Sequence, residues 1–501
     1  MYFMGIDIGT SSAKTAIFNE KGDMLSLASK AYDFDADKPG YAEQDPEDWW
    51  KAVTETIRSS LQKLGKEAEK VKAVGFSGQM HGLVPLDRDG KPVRKAILHC
   101  DVRAKDIVRE ITECFDGNRI SDIMMNPVFP GFQMVSLCWM RKHEPELYSR
   151  IKTAVCPKDY VRYRLTGELG TESTDASGTL LYDMHREAWS EEIFRELGLS
   201  PEIVPERIHN SCEAAGRILP HVVEQTGLSP DTLVVYGGAD QAMHSLGNGV
   251  YRPGIMMATI GTSGQVLMSS EEPIKNPELN THIFRHVKEH SWYGLAAILY
   301  AGSTLNWFRR TFTPDSSYEA LSQMASQVAP CAEGLVFFPC MGGERTPYLD
   351  SETRGMFSGI SMCHGREHFA RAIMEGVSFA VKTGIMKMNQ LYGESEKLIC
   401  AGGGVKGKVW AQIQADIYGK EIYISEISEQ ACLGAAITAA IGAGVFKNLE
   451  EACQAMVKKT EQIVEPDREN MKKYEEFYEK VYERLYIQNK EIFHNMNLFN
   501  S

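Results

Sequence analysis

The chain lacks several patterns that would place it quickly. None of its eleven cysteines stands at C-x-x-C spacing from another, which argues against structural zinc and thioredoxin-like redox chemistry. No run reaches the ~18 uninterrupted apolar residues that a membrane-spanning helix needs. The nearest approach, Ala431 to Phe446, is free of charge but short and rich in Ala and Gly, and reads as a helix packed closely against a sheet. Basic residues are not in excess: 54 Lys+Arg stand against 67 Asp+Glu, a net −13. An acidic surface repels phosphodiester backbones and anionic lipids, and no local basic patch offsets it. The opening Met1-Tyr2-Phe3-Met4-Gly5 shows no basic leader before an apolar core, so no signal peptide is expected. A reducing, cytoplasmic compartment fits the scattered cysteines.

What is present is an ordinary globular composition, 43% hydrophobic and 24% charged over 501 residues. The length suggests about three domains or two large ones. Short β-rich runs open the chain. Tyr2–Ile8, Lys14–Phe18 and Met24–Ala31 read as strands, with Asn19 to Asp23 as a turn in which Gly22 supplies positive φ. Pro46 then opens a helix to about Leu64, with Asp45 as N-cap and Trp49, Val53, Ile57 and Leu61 recurring every four residues. Strand and helix alternate thereafter, so the fold class is α/β. Ile8-Gly9-Thr10-Ser11 returns as Ile260-Gly261-Thr262-Ser263, each copy following one apolar strand and preceding another. That echo, half a chain apart, points to a duplicated architecture with a boundary near Gly247 to Pro253. The expected lobes are residues 1–246 and 247–501.

Several segments could carry chemistry. Asp7 is delivered by a strand to the turn Gly9-Thr10-Ser11-Ser12. Backbone N–H groups and hydroxyls there could hold phosphate oxygens and the carboxylate a divalent cation, although a plain hairpin turn has the same composition. The spacing is neither that of a P-loop nor of a dinucleotide fingerprint. The echo at Gly261-Thr262-Ser263-Gly264 has Thr259 where the first copy has Asp7. A third glycine cluster, Gly402-Gly403-Gly404, joins a strand to a helix, as a nucleotide-approach turn or a simple connection. Asp240, after Gly237-Gly238-Ala239 near the expected domain junction, is a candidate general base or an N-cap. Asp101 and Arg103 could pin sugar hydroxyls or form a local ion pair. His81, in Gln79-Met80-His81-Gly82, could donate to a sugar hydroxyl or lie exposed in its loop.

Taken together the chain resembles the FGGY family of carbohydrate kinases. The landmarks run in order: Gly5 to Ser11; Glu43-Gln44-Asp45-Pro46 with Trp49-Trp50; Gly78 to Gly82; Gly237 to Asp240; Gly261 to Gly264; Gly342-Gly343-Glu344-Arg345-Thr346-Pro347; and Gly402 to Gly404. The resemblance implies a two-lobed actin/hexokinase/Hsp70-like fold with ribonuclease-H-like sheets around a cleft. It implies ATP and Mg²⁺, with Asp240 as catalytic base and Asp7 beside the metal and phosphates, both counted as metal positions. It carries Thr10, Ser11, Ser12, Gly261, Thr262, Gly302, Asn306, Gly403 and Gly404 onto ATP contacts. It carries Gln79, Met80, His81, Asp101, Arg103 and Asp240 onto the sugar site. The Gln-Met-His segment narrows the implied substrate to D-xylulose. His99-Cys100-Asp101-Val102-Arg103 departs from the Trp-Asn-Asp-Gly-Arg usual in the members acting on that sugar. Another pentulose, a tetrulose, a polyol or a sugar acid (ribulose, erythritol, gluconate) therefore stays open, as does a non-catalytic nucleotide-dependent sensor. The expected partner is a small-molecule sugar, with no nucleic acid and no membrane; a homodimer is left open.

Overall fold

The computed structural model describes residues 1–114, 117–458 and 462–499. Two seven-stranded sheets organise them. The first runs, from edge to edge, Ala214–Arg217, Leu233–Val235, Val71–Gly78, Tyr2–Ile8, Ser12–Asn19 and Met24–Ala31, and the short strand Gly238–Ala239 also pairs with Val71–Gly78. The second runs His282–Arg285, Trp292–Ile298, Gly264–Ser270, Ile255–Ile260, Lys397–Gly402, Ile422–Ile424 and Ile463–Val464. Both are built on one unit. A strand turns back antiparallel on the next (Ile8 opposite Ala13; Ile260 opposite Gly264) and lies parallel to a strand much later in the chain. The Ile-Gly-Thr-Ser echo is therefore a hairpin turn at the same place in two copies of one topology, four residues long in the first (Gly9 to Ser12) and three in the second (Gly261 to Ser263).

Local chemistry explains the elements nearest the site. Asp45 caps the helix Pro46–Leu64 by accepting from the Glu47 N–H at 3.0 Å, and Trp49, Val53, Ile57 and Leu61 are buried against the first sheet with Met4, Ile6 and Val74. Each such side chain contributes roughly 1.5–3 kcal/mol on burial. In the Asn19–Asp23 turn the Asn19 carboxamide accepts from Lys21 and Asp23 N–H groups, and Gly22 has φ 73°.

The helix Gln430–Gly442 lies on the first sheet although it comes late in the chain. Its small residues are required there. A Cβ on Gly5 would stand 1.8 Å from the Cys432 carbonyl oxygen, and one on Gly75 2.0 Å from that of Ala435. On its other flank Gly434 meets the Met243 carbonyl oxygen, 2.0 Å from where a Cβ would be. This helix thus couples the first sheet to the helix Asp240–Gly247, and the Lys14–Glu429 ion pair (2.8 Å) ties its start to the strand after the first turn. No described helix is long and apolar enough to cross a membrane.

Candidate active site

The first turn is locked by segments that the sequence leaves far apart. The Gly9 N–H donates to the Ser12 carbonyl at 3.0 Å. The Gln44 amide donates to the Thr10 carbonyl at 2.7 Å, while its oxygen accepts from the Trp49 indole at 2.9 Å and from Gln79 at 3.3 Å. Gln79 closes the circle: its N–H donates to the Ile8 carbonyl at 2.9 Å, and its side-chain oxygen accepts from the Thr10 hydroxyl at 3.4 Å. The Glu43–Trp50 and Gly78–Gly82 landmarks therefore converge on one turn, with Ser11 exposed at its tip and Ser12 opening the next strand.

The second turn carries a helix start. Gly261 N–H donates to the Ser263 carbonyl at 2.9 Å. The helix Gly302–Phe312 begins directly on this turn, with Gly302 N–H donating to the Gly261 carbonyl at 2.8 Å and Ser303 N–H to the Thr262 carbonyl at 3.1 Å. A Cβ on Gly302 would meet the Gly261 oxygen at 2.4 Å. Gly402, with φ 89°, and Gly404 press on Ile260 in the same place. By contrast, a Cβ on Gly261 or Gly403 would find nothing in the protein nearer than 3.7 and 3.9 Å. Those two glycines leave backbone open to a ligand rather than to a neighbour. The buried hydroxyls of Thr259 and Ser303 have no protein partner there. Asn306, one turn into the helix, accepts from the Tyr318 hydroxyl at 3.0 Å.

Asp240 is the first residue of its helix, and Ala239 occupies the N-cap position. Gly237 makes the approach possible, since at φ 72° a Cβ would fall 2.3 Å from the Phe76 carbonyl oxygen. Burial pushes the Asp240 carboxyl up to about 7, and the negative charge of Asp7 adds to the rise. Asp7 is itself raised by burial, against the opposing hydrogen bond that Ser77 donates at 2.7 Å and the charge of Lys14. Two half-buried carboxylates that repel each other, one of them on the strand that enters a hydroxyl-bearing turn, fit a divalent cation carrying phosphates.

The Gln79–Gly82 loop lies near this pair, linked to Asp240 through Tyr293. Met80 is buried and accepts a weak hydrogen bond from the Tyr293 hydroxyl at 3.7 Å. His81 takes φ 70°, with Nδ1 2.7 Å from the Gly178 carbonyl and its ring 4.1 Å from that of Phe132. Burial, with smaller contributions from His99 and Arg345, holds its pKa at about 3. The ring is thus neutral, Nδ1 donates to Gly178, and Nε2 is left as an acceptor. Asp101 and Arg103 bind each other: Arg103 Nε and Nη2 reach Asp101 at 2.9 and 2.6 Å, and the Ala42 N–H donates to Asp101 at 2.6 Å. Arg103 also pairs with Glu43 at 2.5 Å and stacks on Tyr41. Of the two readings open for this pair, these contacts describe the local ion pair. Cys100 is exposed, while His99 is turned inward with an unpartnered Nδ1.

Sequence reading missed a buried ionic cluster behind the site. Lys158 Nζ lies 2.8 Å from both Asp159 and Asp175 and 3.2 Å from Glu172, all of them fully buried. Ligand atoms of Cys156, Asp159 and Asp175 lie close enough to suggest a metal, but the Lys158 ammonium already supplies the cation. Through Thr174, bonded to Glu172, the cluster reaches the Ala239 N–H at 2.8 Å, next to Asp240. The sequence trace of the cluster is charge inside Pro157-Lys158-Asp159-Tyr160 and Thr171-Glu172-Ser173-Thr174-Asp175, which carries no periodic signature. Tyr293, His282 and Arg345 were missed as well, being brought in from the second lobe by tertiary contacts alone.

Two hydroxyl-bearing turns and a carboxylate pair in a duplicated fold are the arrangement of a phosphotransferase. Residues 2–247 match the FGGY family of carbohydrate kinases, N-terminal domain, and residues 256–443 the C-terminal domain. The chain belongs to this family, whose members use ATP and a divalent metal to phosphorylate small sugars. It is 38% identical over 491 residues to the xylulose kinase of Bacillus subtilis (strain 168), covering 98% of each chain. It is 36% identical to the xylulose kinase of Lactococcus lactis subsp. lactis (strain IL1403), over 100% of this chain and 99% of that one. Gluconokinase of Bacillus subtilis (strain 168) is 28% identical over 90% and 89% of the two chains. The crystal structure of a Brucella ovis xyloylose kinase superposes with TM-score 0.91 at 28% identity, covering 98% of this chain and 100% of that one. The Rhodospirillum rubrum xylulose kinase structure gives 0.90 at 25% identity, over 99% and 100%. The two-lobed actin/hexokinase-like fold is shared with these structures.

Proposed function

We propose that the protein is an ATP-dependent D-xylulose kinase producing D-xylulose 5-phosphate and ADP. The observation that carries this is the Asp7–Asp240 pair set beside the Gln79-Met80-His81 loop. The C5 hydroxyl of the sugar attacks the γ-phosphorus; the new O5–P bond forms as the bond to the β-phosphate oxygen breaks, and the hydroxyl proton passes to Asp240. The turns at Thr10, Ser11 and Ser12 and at Gly261 and Thr262 hold the phosphates, and Gly302, Asn306, Gly403 and Gly404 border the rest of ATP. Mg²⁺, held by Asp7 with Asp240 nearby, would neutralise phosphate charge. Met80 and His81 line the sugar, with His81 Nε2 accepting from one of its hydroxyls. Asp101 and Arg103 support that wall from behind. The lobes divide near residue 247, with the helix Gln430–Gly442 returning to the first sheet, and a cytoplasmic compartment agrees with the scattered unpaired thiols.

A sugar acid is the second reading, favoured by the Bacillus subtilis gluconokinase relative and by a guanidinium at the pocket's far end. The test is ADP release with D-xylulose, D-ribulose, L-xylulose, erythritol and gluconate. D-xylulose should give the highest kcat/KM. A tenfold preference for another sugar overturns the substrate, and sugar-independent ATP binding without turnover overturns the kinase.

A further inference from the structure

The landmark Gly342–Pro347 has entered so far only through the guanidinium of Arg345. Its Glu344 turns inward, accepting from the Leu299 and Arg345 N–H groups at 2.8 Å each. Arg345 turns the other way. Arginines buried elsewhere are matched with carboxylates: Arg103 with Asp101, Arg285 with Glu187, and Arg371 with Glu375. Among the described residues no carboxylate lies within ion-pair distance of the Arg345 guanidinium, which stands 5.2 Å over the Phe129 ring. Around it are His81, His99 and His282. His282 is 4% exposed, and its Nδ1, like that of His99, has no partner. A half-buried guanidinium without an ion-pair partner, beside two ring nitrogens that have none, leaves a place for a polar group from outside the chain.

The place of this cluster along the pocket is fixed by neighbours. Asp240 acts on Tyr293, whose hydroxyl reaches Met80 and whose ring is 5.8 Å from Phe284. Phe284 in turn lies 5.4 Å from His81 and 5.8 Å from His282, beside Arg345. Arg345 is thus at the end of the sugar pocket remote from the proton-accepting carboxylate.

We infer that Arg345, with His282 and His99 beside it, is the subsite for the carbonyl end of an open-chain ketose. This rests on the D-xylulose reading above. A 2-pentulose closes its five-membered ring through the C5 hydroxyl. That same hydroxyl attacks ATP, so the reacting sugar has no ring and carries a free C2 carbonyl. A carbonyl oxygen only accepts, and a guanidinium only donates. In a closed cleft the pairing satisfies both, with a charge-assisted bond on the sugar side. A polyol offers a hydroxyl in that place, whose own proton needs a further acceptor.

The test compares kcat/KM for D-xylulose with xylitol and D-arabitol, its two C2 alcohols, in the wild type, Arg345→Gln and Arg345→Lys. The wild type should favour the ketose by about 10-fold or more, and Arg345→Gln should bring the ratio to within about threefold. Arg345→Lys, which keeps the charge without the fork, should fall between. KM for the sugar should rise more than KM for ATP. A merely structural residue would lower all three sugars alike. If Arg345→Gln does not fold, the wild-type ratio and Arg345→Lys still decide. A wild type favouring D-xylulose with an unchanged ratio in the folded variants overturns this inference alone; so does a wild type indifferent between ketose and alcohols. A wild type that turns over gluconate and no pentulose overturns the D-xylulose reading and this inference with it.

Discussion

Asp7 and Asp240 lie in one buried cleft, and the charge on Asp7 helps hold the Asp240 carboxyl at about 7. The first consequence is for stability. Asp240 binds its proton more tightly folded than unfolded, because about 7 exceeds the ordinary 3.8. Its contribution is therefore complete below pH ~4 and lost as pH rises through about 7. Asp240→Asn removes that loss. Thermal unfolding of the ligand-free proteins should give a slightly higher midpoint for Asp240→Asn at pH 5 and a clearly higher one at pH 8. Equal midpoints at pH 8 would mean that Asp240 is not raised.

The same carboxyl must be ionised to accept the sugar's proton. Activity should rise with pH to a plateau at or below about 7, since a bound cation favours the carboxylate. Asp240→Asn should lower kcat by ~10²–10⁴-fold while ATP still binds. An acid limb unchanged in that variant would assign the titration to another group.

The glycines of the second turn separate ligand from fold. Gly261→Ala adds a methyl group with no protein atom nearer than 3.7 Å, so the unfolding midpoint should stay within a degree or two while KM for ATP rises. Gly302→Ala drives a Cβ to 2.4 Å from the Gly261 carbonyl oxygen, so here the midpoint itself should fall. Equal effects of the two substitutions on KM and midpoint would undo the distinction.

Much of this was legible beforehand because the signals were local. The hairpin turns, the Asp45 cap and the four-residue rhythm of Trp49 to Leu61 depend on near neighbours, and the structure follows them. The Ile-Gly-Thr-Ser echo disclosed the duplication because each copy joins the same two strands of its sheet, although Gly9 N–H closes on Ser12 and Gly261 N–H on Ser263. What was hidden depends on distant partners. Gln44 looked like a landmark and is a three-way bridge; Lys158 gave no signal and is wholly buried. No periodicity announces a buried ion cluster, because its partners come from separate turns of the chain.

That cluster makes its own prediction. Lys158→Met leaves Asp159, Glu172 and Asp175 buried without their ammonium, and breaking such a network costs about 3–5 kcal/mol. The abandoned carboxyls would then have pKa values above their unfolded ones. By the same linkage the deficit should be smallest near pH 4 and grow as pH rises. Chemical denaturation at pH 5 and pH 8 measures this, and a deficit independent of pH would place the ammonium's effect in packing instead.

The last prediction concerns the departure at His99-Cys100, which places two unlike residues where the resembled kinases carry an indole and an amide. The two positions are not equivalent. Cys100 is exposed, so Cys100→Asn should leave every sugar's kcat/KM within about twofold, as surface changes generally do. His99 faces Arg345, and burial followed by the Arg345 charge holds it neutral, at about 4, so its exchange removes no charge at working pH. His99→Trp inserts a larger apolar ring beside the far end of the pocket. The six carbons of gluconate need more room there than the five of D-xylulose. The variant should therefore lower kcat/KM for gluconate more than for D-xylulose, by about 10–200-fold in their ratio, the range that small steric differences reach. The double exchange should reproduce His99→Trp alone. A change of preference that needs Cys100→Asn would show that the exposed position is drawn into the pocket when the sugar binds.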